Sequence, residues 1–89
     1  MAERTVKIAS KSGLHARPAS IFTKAAGEQP AKVMISKPGG KPVDAASILM
    51  LMTLGAKFDD EVVLTAEGDG AEESVNALAE LLERDLDAE

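Results

Sequence analysis

His15 is the only histidine among 89 residues, and it stands in the run Gly13-Leu14-His15-Ala16-Arg17-Pro18. An imidazole of ordinary pKa, about 6.5, keeps a free lone pair on much of its population at neutral pH and needs no separate base to act as a nucleophile. The apolar spacing that begins at Ala16 predicts a helix starting right after His15, and Pro18 suits its first turn. The N–H groups of Ala16 and Arg17 would then lack intrahelical partners and could face an anion. Arg17 adds a planar donor fork that matches phosphate oxygens, and Ser12 offers a hydroxyl just upstream. Pro18 presets the turn without supplying an N–H of its own. Together these groups suit an imidazole that takes up a phosphoryl group and holds the resulting charge loosely enough to release it.

Other chemistries find less support. With no cysteine and one histidine the chain has no thiolate or paired-imidazole metal site, so neither metal nor cofactor is expected. No Ser-His-Asp order or paired carboxylates accompany His15, which disfavours a small hydrolase using it as general base. A non-covalent anion-binding module stays open. Phe22 and Phe58 are the only aromatic residues, too few to stack nucleobases, and the net charge of −5 disfavours nonspecific DNA binding. The charge is unevenly placed. Arg4 to Gly27 carries five basic residues and no carboxylate, whereas Phe58 to Glu89 carries twelve carboxylates against Arg84. The basic third favours small anions or an acidic partner surface, and the acidic third also reads as a solvated face. No signal-peptide run or membrane-length apolar stretch occurs, so a cytoplasmic location is the default expectation.

The elements that would position His15 can be read from periodicity. Arg4 to Ala9 alternates, with Val6 and Ile8 on one face, and predicts a strand. Pro18, Ile21, Phe22, Ala25 and Ala26 predict the helix from Ala16, stopped at Gly27. Ala31 to Lys37 predicts a second strand, Pro38-Gly39-Gly40 a tight turn, and Lys41 to Asp44 a short return strand. Ser47 caps a brief helix, Ile48 to Leu54, ended by Gly55. Glu61 to Ala66 predicts a fourth strand. Asp69 with Glu72 forms a capping-box pattern before a last amphipathic helix of about four turns bearing Ala71, Val75, Leu78, Ala79, Leu82 and Leu86. The order βαββαβα implies an α+β, open-faced sandwich in which three helices cover one face of a four-stranded antiparallel sheet, a single domain over residues 1–89.

The second helix is too apolar for a short surface element. Leu51 and Leu54, with part of Ile48, fit a core-facing stripe, which leaves Leu49, Met50 and Met52 without a place. A loop could cover them, or they could form an adaptable docking patch.

The run Gly13-Leu14-His15-Ala16-Arg17-Pro18-Ala19 resembles the active-site signature of the histidine-containing phosphocarrier (HPr) family of the sugar phosphotransferase system. Length, element order and Ser47-Ile48-Leu49 extend the likeness over nearly the whole chain. The resemblance implies that His15 accepts a phosphoryl group on Nδ1 from phosphorylated enzyme I, itself charged by phosphoenolpyruvate, and donates it to histidine-bearing, sugar-specific enzyme II proteins. It implies that Arg17 assists transfer, which joins the phosphate-holding role that the helix start gives Ser12, Ala16 and Arg17, and that Ser20, Lys24, Ile48, Leu49 and Met52 face the partners of a monomer. It also implies a regulatory kinase acting at Ser47, although Ala46 stands where a lysine commonly precedes that serine. A paralogous regulatory phosphocarrier would share the same motif.

Overall fold

Alternation of buried and exposed residues builds the sheet. The computed structural model describes residues 2–9, 16–55 and 57–84, with the side chains of Ala16 and Arg17 left undescribed. The strands are β1 (Ala2–Lys7), β2 (Val33–Ser36), β3 (Val43–Asp44) and β4 (Glu61–Ala66), and the helices α1 (Ala16–Gly27), α2 (Ile48–Leu54) and α3 (Ala71–Leu82). The sheet is antiparallel throughout, in the order β1-β4-β2-β3. Its register aligns Val6 with Val62, and Arg4 with Leu64, Ile35 and Val43 across one face. The other face carries Glu3, Thr65, Met34 and Asp44 side by side. This is the α+β open-faced sandwich expected from the element order.

The three helices bury their apolar stripes on the first face. Val6, Ile8, Val33, Ile35, Val62 and Leu64 share one cluster with Phe22 of α1, Leu51 of α2 and Val75, Leu78, Ala79 and Leu82 of α3. Each fully buried side chain of this size contributes about 1.5–3 kcal/mol relative to exposure. α3 lies against β1 and β4, α1 against α2 and α3, and α2 also against β3. Arg4 fastens the exposed flank, donating to Glu83 Oε1 at 3.1 Å and to Asn76 Oδ1 at 3.4 Å.

Several boundaries differ from the sequence reading, each for a local reason. β1 stops at Lys7 because the bond to Ile8 O comes from the Asp59 N–H, one residue off the register partner Asp60, and the Ala9 N–H turns to Leu82 O, although Ile8 stays buried. β2 begins at Val33 because the Ala31 N–H is taken by Ser74 Oγ at 3.1 Å. β3 is limited to Val43–Asp44, since Pro42 has no N–H for a ladder. The Pro38-Gly39-Gly40 turn forms as expected, with the Gly40 N–H donating to Lys37 O at 2.8 Å and Gly39 at φ +79°.

The expected capping box at Asp69 is not formed. Gly70 is the N-cap of α3, in the left-handed region at φ 81°, with no side-chain cap bond. The turn Gly68-Asp69-Gly70 delivers the chain one residue later than a cap at Asp69 would, so Glu72 falls in the first turn beside Glu73. There both carboxylates favour the positive end of the helix dipole. α3 is described to Leu82 with Glu83 as C-cap, and Leu86 lies outside the described residues.

Candidate functional site

Three backbone hydrogen bonds fix the chain where it leaves β1 toward the histidine run. The Ile8 N–H donates to Asp60 O (3.0 Å), the Asp59 N–H to Ile8 O (2.8 Å), and the Ala9 N–H to Leu82 O at the end of α3 (3.0 Å). Ser12 and His15 lie outside the described residues, as do the side chains of Ala16 and Arg17, so what is described is the frame around them.

That frame has the expected start. α1 begins at Ala16, the residue that follows His15, and its first turn contains no acidic residue. The first N–H groups of a helix have no carbonyl four residues earlier within it, so a helix start is electropositive and favours an anion. Pro18 in the same turn is fully buried and anchors the helix start against the core. Lys24 occupies the last turn, where a cation complements the carbonyl end. Ser20 and Lys24 are both exposed, and position 17 precedes them on the same stripe at three- and four-residue steps.

α2 packs beside α1 and presents an apolar surface. Ser47 is its N-cap, as the sequence predicts, with Oγ accepting the Met50 N–H at 3.4 Å, and Gly55 closes it in the left-handed conformation at φ 67°. Leu51 is fully buried and Leu54 packs against the core. Leu49 is 71% exposed, Met50 41% and Met52 42%. Among the described residues no loop covers them. Ile48 is 42% exposed, so it is only partly covered. It is the first residue of the helix, and helical Cα–Cβ bonds tilt toward the N-terminus, so its side chain has no preceding turn to lie on.

Sequence reasoning left Phe58 without a place. It is exposed and lines an open cleft of about 600 Å³ between the end of β1 and the start of β4, with Ile8, Ala9, Asp59 and Glu83. The available signal was an aromatic ring set among Lys57, Asp59 and Asp60. Lys7, Glu61 and Glu83 line the same cleft and give it mixed charge. Among the described residues no group of three or more His, Cys, Asp or Glu side chains is arranged to hold a metal ion.

Comparison with known proteins agrees with this frame. The PTS-HPr family model, described as the PTS HPr component phosphorylation site, matches residues 2–84. The phosphocarrier protein HPr of Streptomyces coelicolor is 46% identical over 98% of this chain and 94% of its own length. The HPr-like protein Crh of Bacillus subtilis is 35% identical over 97% of this chain and 100% of its own. The crystal structure of HPr-C-His from Thermoanaerobacter tengcongensis superposes with a TM-score of 0.86 at 42% identity, covering 93% of this chain and 92% of that one. A match that runs from the first strand past the last helix, on a sandwich shared with a solved HPr, makes this chain a member of the PTS-HPr family of phosphocarrier proteins.

Proposed function

We propose that this protein is the phosphocarrier of a phosphoenolpyruvate-dependent sugar phosphotransferase system, working in the cytoplasm as a single-domain monomer. One observation carries the reading: α1 begins at the residue after the chain's only histidine, inside a family match over residues 2–84. In this mechanism the Nδ1 lone pair of His15 attacks the phosphorus of phosphorylated enzyme I. The donor's P–N bond breaks as the new one forms, and the donor imidazole leaves with its electron pair. The phosphoryl oxygens are held by the N–H groups of Ala16 and Arg17, by the Arg17 guanidinium and by the Ser12 hydroxyl. Helix-end stabilisation of about 0.3–1 kcal/mol is weak enough for the group to be passed on to a histidine of an enzyme II protein. The carrier is consumed and regenerated stoichiometrically, and turnover belongs to its partners. No described helix is long and apolar enough to cross a membrane.

The apolar face of α2, with Ser20 and Lys24 of α1, serves as the docking surface for both partners. Leu49→Glu is expected to raise the KM for transfer from enzyme I by about tenfold, the factor set by desolvating an unpaired carboxylate, with the circular dichroism spectrum unchanged. Unchanged transfer kinetics would remove the docking role. Ser47 is assigned the cap alone, because Ala46 replaces the lysine that commonly precedes a kinase-regulated serine in this family.

The test of the carrier function is incubation with phosphoenolpyruvate, magnesium ion and enzyme I, the metal being required by enzyme I. An acid-labile phosphoryl adduct on residue 15 is expected, and its absence overturns the reading. The near full-length match to Crh supports a second reading, a paralogous regulatory phosphocarrier. Discharge of the phosphorylated protein by a sugar-specific enzyme II acceptor separates the two: the regulatory paralogue would stay charged.

A further inference from the structure

The chain has no cysteine and four methionines, so its readily oxidised sulfur is all thioether. Two of those thioethers, Met50 and Met52, are exposed on α2, at 41% and 42%. They are not equivalent. Leu51, fully buried, fixes which way the helix faces, and Met50 and Met52 fall on opposite flanks of it at about 100° per residue. Met52 is four residues from Ile48 and three from Leu49, so it shares their exposed apolar stripe. Met50 shares its flank with Thr53, whose hydroxyl donates to Met50 O at 2.7 Å. Met34 is half-buried on the sheet.

We propose that Met52 is a redox-modification site at which a hydroperoxide switches the docking surface off, an inference that rests on the docking role assigned to α2. The Met52 Sδ lone pair attacks the terminal peroxide oxygen. The O–O bond breaks, an S–O bond forms, and with hydrogen peroxide the remaining oxygen leaves as water. Sulfur is oxidised by two electrons and the peroxide is reduced by two. The product is a polar sulfoxide in the middle of a patch whose other members, Ile48 and Leu49, are hydrocarbon. Sulfoxides of this kind disrupt methionine-bearing interfaces and are reversed by methionine sulfoxide reductases. Burying the unpaired sulfoxide oxygen against a partner weakens association about five- to tenfold.

The experiment treats the intact protein with hydrogen peroxide, maps the added oxygen by peptide mass spectrometry, and measures KM for phosphoryl transfer from enzyme I. Oxygen is expected on the α2 peptide before Met34, with KM raised about five- to tenfold and restored by methionine sulfoxide reductases. Met52→Leu is expected to show the same KM before and after peroxide, whereas the KM of Met50→Leu still rises on treatment. Equal oxidation of Met34 and α2, or a Met52→Leu protein whose KM rises on treatment as the wild type's does, overturns the proposal. Failure of the docking role is distinguishable, because Leu49→Glu would then also leave transfer unchanged while the mass shift on Met52 persists; that pair of results removes the switch but keeps the oxidation site.

Discussion

His15→Ala is expected to yield no acid-labile phosphoryl adduct when mixed with phosphoenolpyruvate, magnesium ion and enzyme I. The substitution removes the chain's only imidazole, and no cysteine is present to form an alternative labile adduct. Serine hydroxyls remain nearby in sequence, at Ser10, Ser12 and Ser20, but a phosphoserine ester survives acid and is told apart by brief acid treatment before intact mass measurement. Since α1 starts only at Ala16 and its anchor is the buried Pro18, the variant should fold as the parent does. An acid-labile adduct persisting in this variant would place the chemistry elsewhere and end the carrier proposal. Arg17→Ala is the contrast. Loss of a charge-assisted hydrogen bond costs about 1.5–3 kcal/mol, so transfer should slow by roughly ten- to a hundredfold without being abolished.

Gly70→Ala is expected to destabilise the fold by about 2–5 kcal/mol, the larger of two contrasting results at the start of α3. Gly70 sits at φ +81°, where an L side chain costs about 1–2 kcal/mol. A Cβ there would lie 2.8 Å from Pro30 Cγ and 2.9 Å from Pro30 Cβ, closer than real contacts allow. Overpacking of this kind adds about 1–3 kcal/mol. The surroundings have little room to give. Ser74 Oγ donates to Gly70 O at 2.7 Å and accepts the Ala31 N–H at 3.1 Å, tying the helix start to the residue after Pro30. Asp69→Ala, by contrast, should change stability by less than about 0.5 kcal/mol, since Asp69 is exposed and caps nothing. Urea denaturation of the two variants checks both, and a capping role for Asp69 would appear as a loss of about 1 kcal/mol.

The contrast at Gly70 shows where sequence patterns carry structural information and where they stop. α2 could be bounded at both ends because its signals are chemical: a serine that can accept the Met50 N–H and a glycine that can turn left-handed. β4 was equally legible, with alternating residues uninterrupted from Glu61 to Ala66. At Asp69 two valid signals competed, an Asx cap and a glycine turn, and their choice depends on Pro30, distant in sequence. The ends of β1 and β2 were overrun for a related reason. Ile8 and Ala31 are buried like strand residues, but Ile8 O accepts from Asp59 instead of its register partner, and the Ala31 N–H is taken by Ser74. Burial periodicity does not distinguish a ladder from other partners. For the site, the residue types of the histidine run point to phosphoryl chemistry, whereas the exposure of Phe58 depends on the packed fold.

The sheet order has a consequence for the newborn chain. β1 is the first strand to be made, yet the strand beside it, β4, is completed only at Ala66. At about 5–20 residues per second, synthesis leaves that first segment without its neighbour for several seconds. Val6 and Ile8 spend that interval without the strand that shelters them in the fold, so the nascent polypeptide is prone to stray association until Ala66 has been added.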